Sequence, residues 1–186
     1  MARKLLAIAI TSGLLTLLIP AGATAASPLI APTSICPHQR ALGASTAAQE
    51  ETMLCMTNYA REQYGEPPLE PNGELEQSAG DKARDVLRCD EFSHYACGRE
   101  FTYWMRSSGY LSSKCWRAGE NLAYGTSAYG SVGAIFRAWM RSPTHRENLL
   151  GNFDQTGIDL VVGRLDGLPS TRVWAQHFGS HCESSA

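Results

Sequence analysis

GIDLVVGRLDGLPSTRVWAQHFG, residues 157–179, is the stretch whose period decides the fold class. GIDLVVGR (157–164) and TRVWAQHFG (171–179) are rich in β-branched and aromatic residues and nearly alternate, which suits strands rather than helices. The Asp166-Gly167 step between them has turn chemistry, so the spacing predicts an antiparallel hairpin. AGENLAYG (118–125) supplies either another short strand or an ordered loop.

Working back toward the N-terminus, the period becomes helical. Val132, Ile135, Phe136 and Trp139 share one stripe over about 131–141. Phe101, Trp104 and Met105 mark a shorter helix near 98–108, and Leu75, Ala79, Ala83, Val86 and Leu87 another at about 74–90. From Ser45, Met53, Met56, Ala60 and Tyr64 form a further stripe, broken by Gly65 and three prolines. Helices first and an antiparallel sheet later predict an α+β fold. Residues 26–44, with three prolines and no periodicity, read as an extended leader pinned through Cys36, and 45–186 as one domain.

MARKLLAIAITSGLLTLLIPAGATA has the basic head, apolar run and small-residue exit of a signal peptide, residues 1–25, with cleavage expected after Ala25. The apolar run is short of the roughly 20 residues needed to span a bilayer, and Pro20 ends it. A secreted, extracellular chain without a transmembrane segment is therefore expected. Cys36, Cys55, Cys89, Cys97, Cys115 and Cys182 are then an even set in an oxidising compartment, which reads as three disulfides of open connectivity. No Cys-x-x-Cys pair supports zinc ligation by thiolates instead. Loss of Arg3 and Lys4 with the leader takes the formal charge from −2 to −4, and the remaining charges are interspersed. Nothing in that pattern points to nucleic acid.

Three residues stand out as candidates. His94 lies in CDEFSHYAC between Cys89 and Cys97, a loop that would fix its imidazole if those cysteines pair, though the residues alone slightly favour a plain surface histidine beside an aromatic. Glu120 stands in WRAGENLAYG, where a carboxylate can face a cavity or cap a turn. His145 follows Ser142 and Pro143, a helix start, with Thr144 and Glu147 at capping-box spacing, which leaves His145 free to face inward. His177 and His181 are four apart on a strand end, where helical metal-ligand geometry does not apply. His-Glu-x-x-His, Gly-x-Ser-x-Gly and Ser-x-x-Lys are absent.

FSH, AGENLAYG, AWMRSPTHRENLLG, FDQTGIDLVVG and WAQHFG, in that order, resemble a bacterial member of the CAP superfamily. This is the SCP-domain family of cysteine-rich secretory proteins, antigen 5 and pathogenesis-related 1 proteins. The resemblance runs from about residue 50 to 180 and implies an α-β-α sandwich with a central antiparallel sheet between helical layers. It also implies a cavity lined by histidines and acids, of which His94 and Glu120 match two of four eukaryotic positions. Ser142 stands where the second glutamate lies, and Val173 where the second histidine lies. The bacterial pattern places His145 in that space, so His94, Glu120 and His145 are expected to meet.

Such a trio has the donor chemistry of a divalent cation such as zinc, although no motif requires a cofactor. The first expectation is a monomeric binding module for a lipid-like small molecule or a protein at the cell exterior. A metal-dependent hydrolase on the same cavity is the second, and a purely structural domain the third.

Overall fold

A computed structural model describes residues 29–182; the signal-peptide expectation falls outside them. Five helices, α1 (Thr46–Tyr64), α2 (Gly73–Arg88), α3 (Thr102–Ser107), α4 (Val132–Arg141) and α5 (Pro143–Leu150), enclose a four-stranded sheet. Its strands are β1 (Glu70–Pro71), β2 (Trp116–Gly125), β3 (Gln155–Leu165) and β4 (Leu168–His181), in the order β1-β3-β4-β2. The pairings β3–β4 and β2–β4 are antiparallel, and the two-residue β1 adds a parallel edge on β3. The fold is α+β, with helices on both faces of the sheet.

Local chemistry sets the element ends. Ser45 Oγ accepts from Ala48 N–H at 3.2 Å and Asn72 Oδ1 from Leu75 N–H at 3.0 Å, each satisfying a helix-start donor. Gly65, at φ +92°, ends α1 in the left-handed conformation. Asp166 and Gly167 both have positive φ, the geometry of a type I′ hairpin turn between β3 and β4. The third helix is shorter than its periodicity suggests. Cys97 and Gly98 have positive φ, so residues 96–98 form a separate turn. The Thr144–Glu147 capping box does not apply, because α5 starts two residues earlier, with Ser142 as N-cap and Pro143 first inside.

Strand alternation divides the main packing between the two faces of the sheet, and Leu75, Met105, Tyr110 and Leu111 form a third, smaller cluster. Ile158, Leu160, Trp174 and Phe178 pack with Met53, Met56, Val132, Phe136, Trp139 and Leu149 of α1, α4 and α5. Val173, Ala175, Leu122 and Leu165 face the opposite way, onto Ala79, Ala83 and Val86 of α2. Each large side chain taken from water here contributes roughly 1.5–3 kcal/mol. On the second face α2 lies very close to β3. A Cβ on Gly157 would stand 2.0 Å from Glu76 N and 2.1 Å from the Leu75 carbonyl carbon.

The leader is turned rather than extended. Residues 29–44 form successive turns, and Gln39 Nε2 donates to the Ala31 and Cys36 carbonyls while its own backbone carbonyl accepts from Gly133 N–H of α4. Three disulfides join Cys36 to Cys55, Cys89 to Cys97 and Cys115 to Cys182.

Candidate functional site

Glu120 and Asn121 are neighbours on β2, so their side chains leave opposite faces of the sheet. β2 is an edge strand, and Asn121 fastens α5 against it. Its Nδ2 donates to the His145 carbonyl at 3.0 Å, and its Oδ1 accepts from Asn148 Nδ2 at 2.9 Å. Asn148 also donates to the Glu120 carbonyl, and Trp139 Nε1 to the Leu122 carbonyl. Side chains of α4 and α5 thus occupy carbonyls of the strand edge that another chain would otherwise meet. Gly119 leaves room for this packing: a Cβ there would lie 3.0 Å from Asn148 Oδ1 and 3.1 Å from the Phe153 ring, so both side chains would have to shift.

On the other face Glu120 is held between two imidazoles. Its Oε1 is 2.5 Å from His94 Nδ1 and its Oε2 is 2.8 Å from His177 Nε2. Side-chain exposure falls from 52% at His94 to 2% at Glu120 and 0% at His177. The cluster therefore runs inward from the surface. At its inner end Ser78 Oγ of α2 lies 2.6 Å from His177 Nδ1 and 2.9 Å from the Leu75 carbonyl, so its single proton serves one or the other. A carboxylate only accepts, which fixes protons on His94 Nδ1 and His177 Nε2 when Glu120 is ionised.

Burial pushes the Glu120 carboxyl up, yet its hydrogen bonds from His177 and His94 and the Lys82 ammonium outweigh that and hold it below the usual carboxylate range. Lys82 is itself fully buried and donates to the His94 carbonyl at 2.6 Å. Burial lowers its ammonium pKa, with Glu120 the foremost charge opposing the shift.

The structure brings His94 and Glu120 together and sets His145 to one side. The His145 imidazole makes no hydrogen bond among the described residues; burial, and then the charge of nearby His94, lower its pKa. The carboxylate oxygen nearer the core is taken by His177 instead. Sequence reasoning passed over His177 because spacing along one chain cannot show a cross-strand pair. The available signal was alternation: His177 shares parity with the core residues Val173 and Ala175, so it points inward toward α2.

Chemically, the Ser78–His177–Glu120 string has the residue types of a nucleophilic triad. Ser78 is fully buried beneath the sheet, so no acyl group can reach its hydroxyl. A three-ligand catalytic zinc centre does not fit either. Both Glu120 oxygens already accept imidazole protons, and no group of three or more His, Cys, Asp or Glu among the described residues is placed to hold a metal. The arrangement is suited to holding one surface imidazole, His94, in a fixed orientation, with a carboxylate behind it.

Beside it runs a groove of about 280 Å³ along β2, lined by Phe92, Leu122, Tyr124, Trp139, Ser142 and His145. Phe92 and Tyr124 stand edge to face at 4.7 Å, and both are exposed. Larger hollows, of about 450 and 440 Å³, lie elsewhere and, unlike the β2 groove, take no wall from the Phe92–His94 loop.

The family model of the cysteine-rich secretory protein family, CAP, matches residues 54–178. The uncharacterized protein YkwD of Bacillus subtilis (strain 168) is 32% identical over 135 residues, covering 72% of this chain and 48% of that protein. The chain thus spans about half the length of that curated relative. Among solved structures, an outer surface protein from Borrelia burgdorferi aligns with TM-score 0.62 at 18% identity, over 75% of this chain and 97% of that one. An extracellular protein containing a SCP domain from Bacillus anthracis str. Ames aligns with TM-score 0.57 at 23% identity, over 72% of this chain and 40% of that one. At such identities these two show the shared fold.

Proposed function

The chain belongs to the cysteine-rich secretory protein family, and from that premise we propose that it is an exported binding module for an apolar, lipid-like ligand with a polar head. The observation that carries this reading is the β2 groove: aromatic and aliphatic walls with the His145 imidazole in its lining, and the oriented His94 two residues along from its Phe92 wall. Its volume suits a segment of an acyl chain or a small ring system rather than a whole lipid, being near the lower limit of small-molecule sites. Phe92 and Tyr124 supply the apolar contact, and His94 Nε2, free of Glu120, bonds the head group. Three disulfides and a leader with signal-peptide layout support a place outside the cell. The same features support residues 1–25 as a cleaved segment and 45–186 as the domain proper.

A divalent cation would find His94 Nε2 and the His145 ring as its open nitrogen donors, with Glu120 behind His94. The binding reading has no step that needs one.

Titration of the folded chain with a fluorescent fatty acid tests the reading, with and without a chelator. Saturable binding, weakened at least tenfold in Tyr124→Ala and Phe92→Ala and unchanged by chelation, is expected. Equal affinity in parent and both variants would remove the groove from the account. Loss of binding on chelation would make a cation part of the site.

A further inference from the structure

The loop that carries both Phe92 and His94 is closed by one covalent link, Cys89–Cys97. Cys89, at the end of α2, is exposed, whereas Cys97 is partly covered. We propose that this disulfide is a redox latch on the groove wall, opened by a dithiol reductant. The latch goes beyond ligand binding, since its opening can be read without any ligand.

Three observations single out this bond. First, its sulfurs are chemically unequal. The Arg88 guanidinium nitrogen lies 3.6 Å from Cys97 Sγ, and the Asp85 carbonyl 3.3 Å from the same sulfur. The Arg88 guanidinium, although also paired with the Asp85 carboxylate, keeps an N–H within reach of Cys97 Sγ, which favours that sulfur as the leaving group. Second, no strand or helix pairing spans the loop, which is held at Asp90 by Asp166 N–H, at buried Ala96, and by side-chain contacts. His94 bonds Glu120, its carbonyl accepts from Lys82 Nζ, and Phe92 meets Tyr124, while Phe92, His94 and Tyr95 stay largely in solvent. Third, the other disulfides do not touch the groove. Cys36 is fully buried, and Cys115–Cys182, although both its residues are exposed, ties strand ends that the Trp116–His181 pairing already joins, so its opening would free no loop at the groove.

The step is a two-electron exchange. A thiolate of the reductant attacks Cys89 Sγ, the Cys89–Cys97 bond breaks, and the electron pair leaves on Cys97. The second thiol of the reductant then attacks the mixed disulfide and releases Cys89 as a thiol. The reductant becomes a disulfide, its two electrons pass to the chain, and two protons complete the cysteine thiols. The Cys97 thiol then has the Asp85 carbonyl within reach as acceptor.

The test treats the full oxidised chain with limiting dithiothreitol, traps thiols with an alkylating agent, and maps them by peptide mass. Hydrogen exchange of amides 90–97 is followed in parallel. Cys89 and Cys97 are expected to alkylate first, with loop exchange faster by roughly 10- to 100-fold, as loss of a short closed loop implies. Cys89→Ser with Cys97→Ser reproduces the faster exchange in the absence of reductant, and Cys115→Ser with Cys182→Ser does not. Should the first double variant not fold, the reduced parent chain gives the same readout. Earlier alkylation of Cys115 and Cys182, or unchanged exchange at 90–97 after reduction, overturns the proposal.

Discussion

Glu120 of β2 and His177 of β4 stand directly opposite each other in the antiparallel register, and their side chains are joined at 2.8 Å. The carboxylate is thereby fixed from inside the protein, leaving its outer oxygen to orient His94. The polar cluster belongs to the packing between sheet and α2 and lies beside the surface groove rather than in its lining.

Replacing Glu120 by Gln is expected to lower stability by about 2–4 kcal/mol at pH 7, because two imidazoles lose a buried ionic partner. The folded-state pKa of Glu120 is depressed, so its contribution is present above the unfolded value near 4.5 and is lost as pH falls through the lower folded one. Urea unfolding from pH 7 to pH 3 should show the gap between parent and variant closing below about pH 4.5. A gap that stays constant would deny the depressed pKa.

Ser78→Ala removes the partner of His177 Nδ1 in a dry setting. A loss of about 1–3 kcal/mol follows, read in a thermal melt as a fall in Tm of roughly 3–8 °C. Unchanged Tm would mean that the 2.6 Å contact contributes nothing.

Gly157→Ala sets a methyl group against the backbone of α2, which cannot yield as a side chain would. A cost of about 3 kcal/mol or more, or failure to fold, is expected. Gly43→Ala meets nothing within 4 Å and should stay within about 0.5 kcal/mol of the parent. Comparable unfolding midpoints for the two variants would contradict the close approach of α2 to β3.

Glu50 lies half-buried between α1 and β3, its carboxylate accepting from Leu160 N–H at 3.0 Å. Burial, before any neighbouring charge, pushes its pKa up to about 7. A raised acid favours the folded state at low pH, and that advantage is lost as pH rises through 7. Glu50→Gln keeps the acceptor and removes the charge. It should stabilise by about 0.5–1 kcal/mol at pH 8, after screening by solvent, and by nothing near pH 4.5. Denaturant midpoints at the two pH values decide it.

Much of the architecture is legible in order. The stripe of Met53, Met56 and Ala60, the Val132–Trp139 stripe and the alternation around Trp174 each report a local period, and the period follows from backbone geometry. An even count of cysteines in a chain expected to be exported predicts the three disulfides for a similarly general reason. The site is less legible. Gly-Glu-Asn reads as one motif, yet strand geometry sends Glu120 to α2 and Asn121 to α5.

The sequence by itself determined most of the helix and strand segments and the hairpin turn at Asp166-Gly167, because these depend on near neighbours in the chain, whereas the pairing of His94 with Glu120, 26 residues apart, was implied only by the family resemblance. Tertiary structure alone decided which second imidazole Glu120 receives. His177 is 57 residues away along the chain and is aligned only by the β2–β4 register. It also decided that His145 faces the groove rather than the carboxylate, because Asn121 and Asn148 dock α5 on the other side of the strand. Contacts of that kind rest on how elements pack, and packing is a property of the folded core rather than of any one segment.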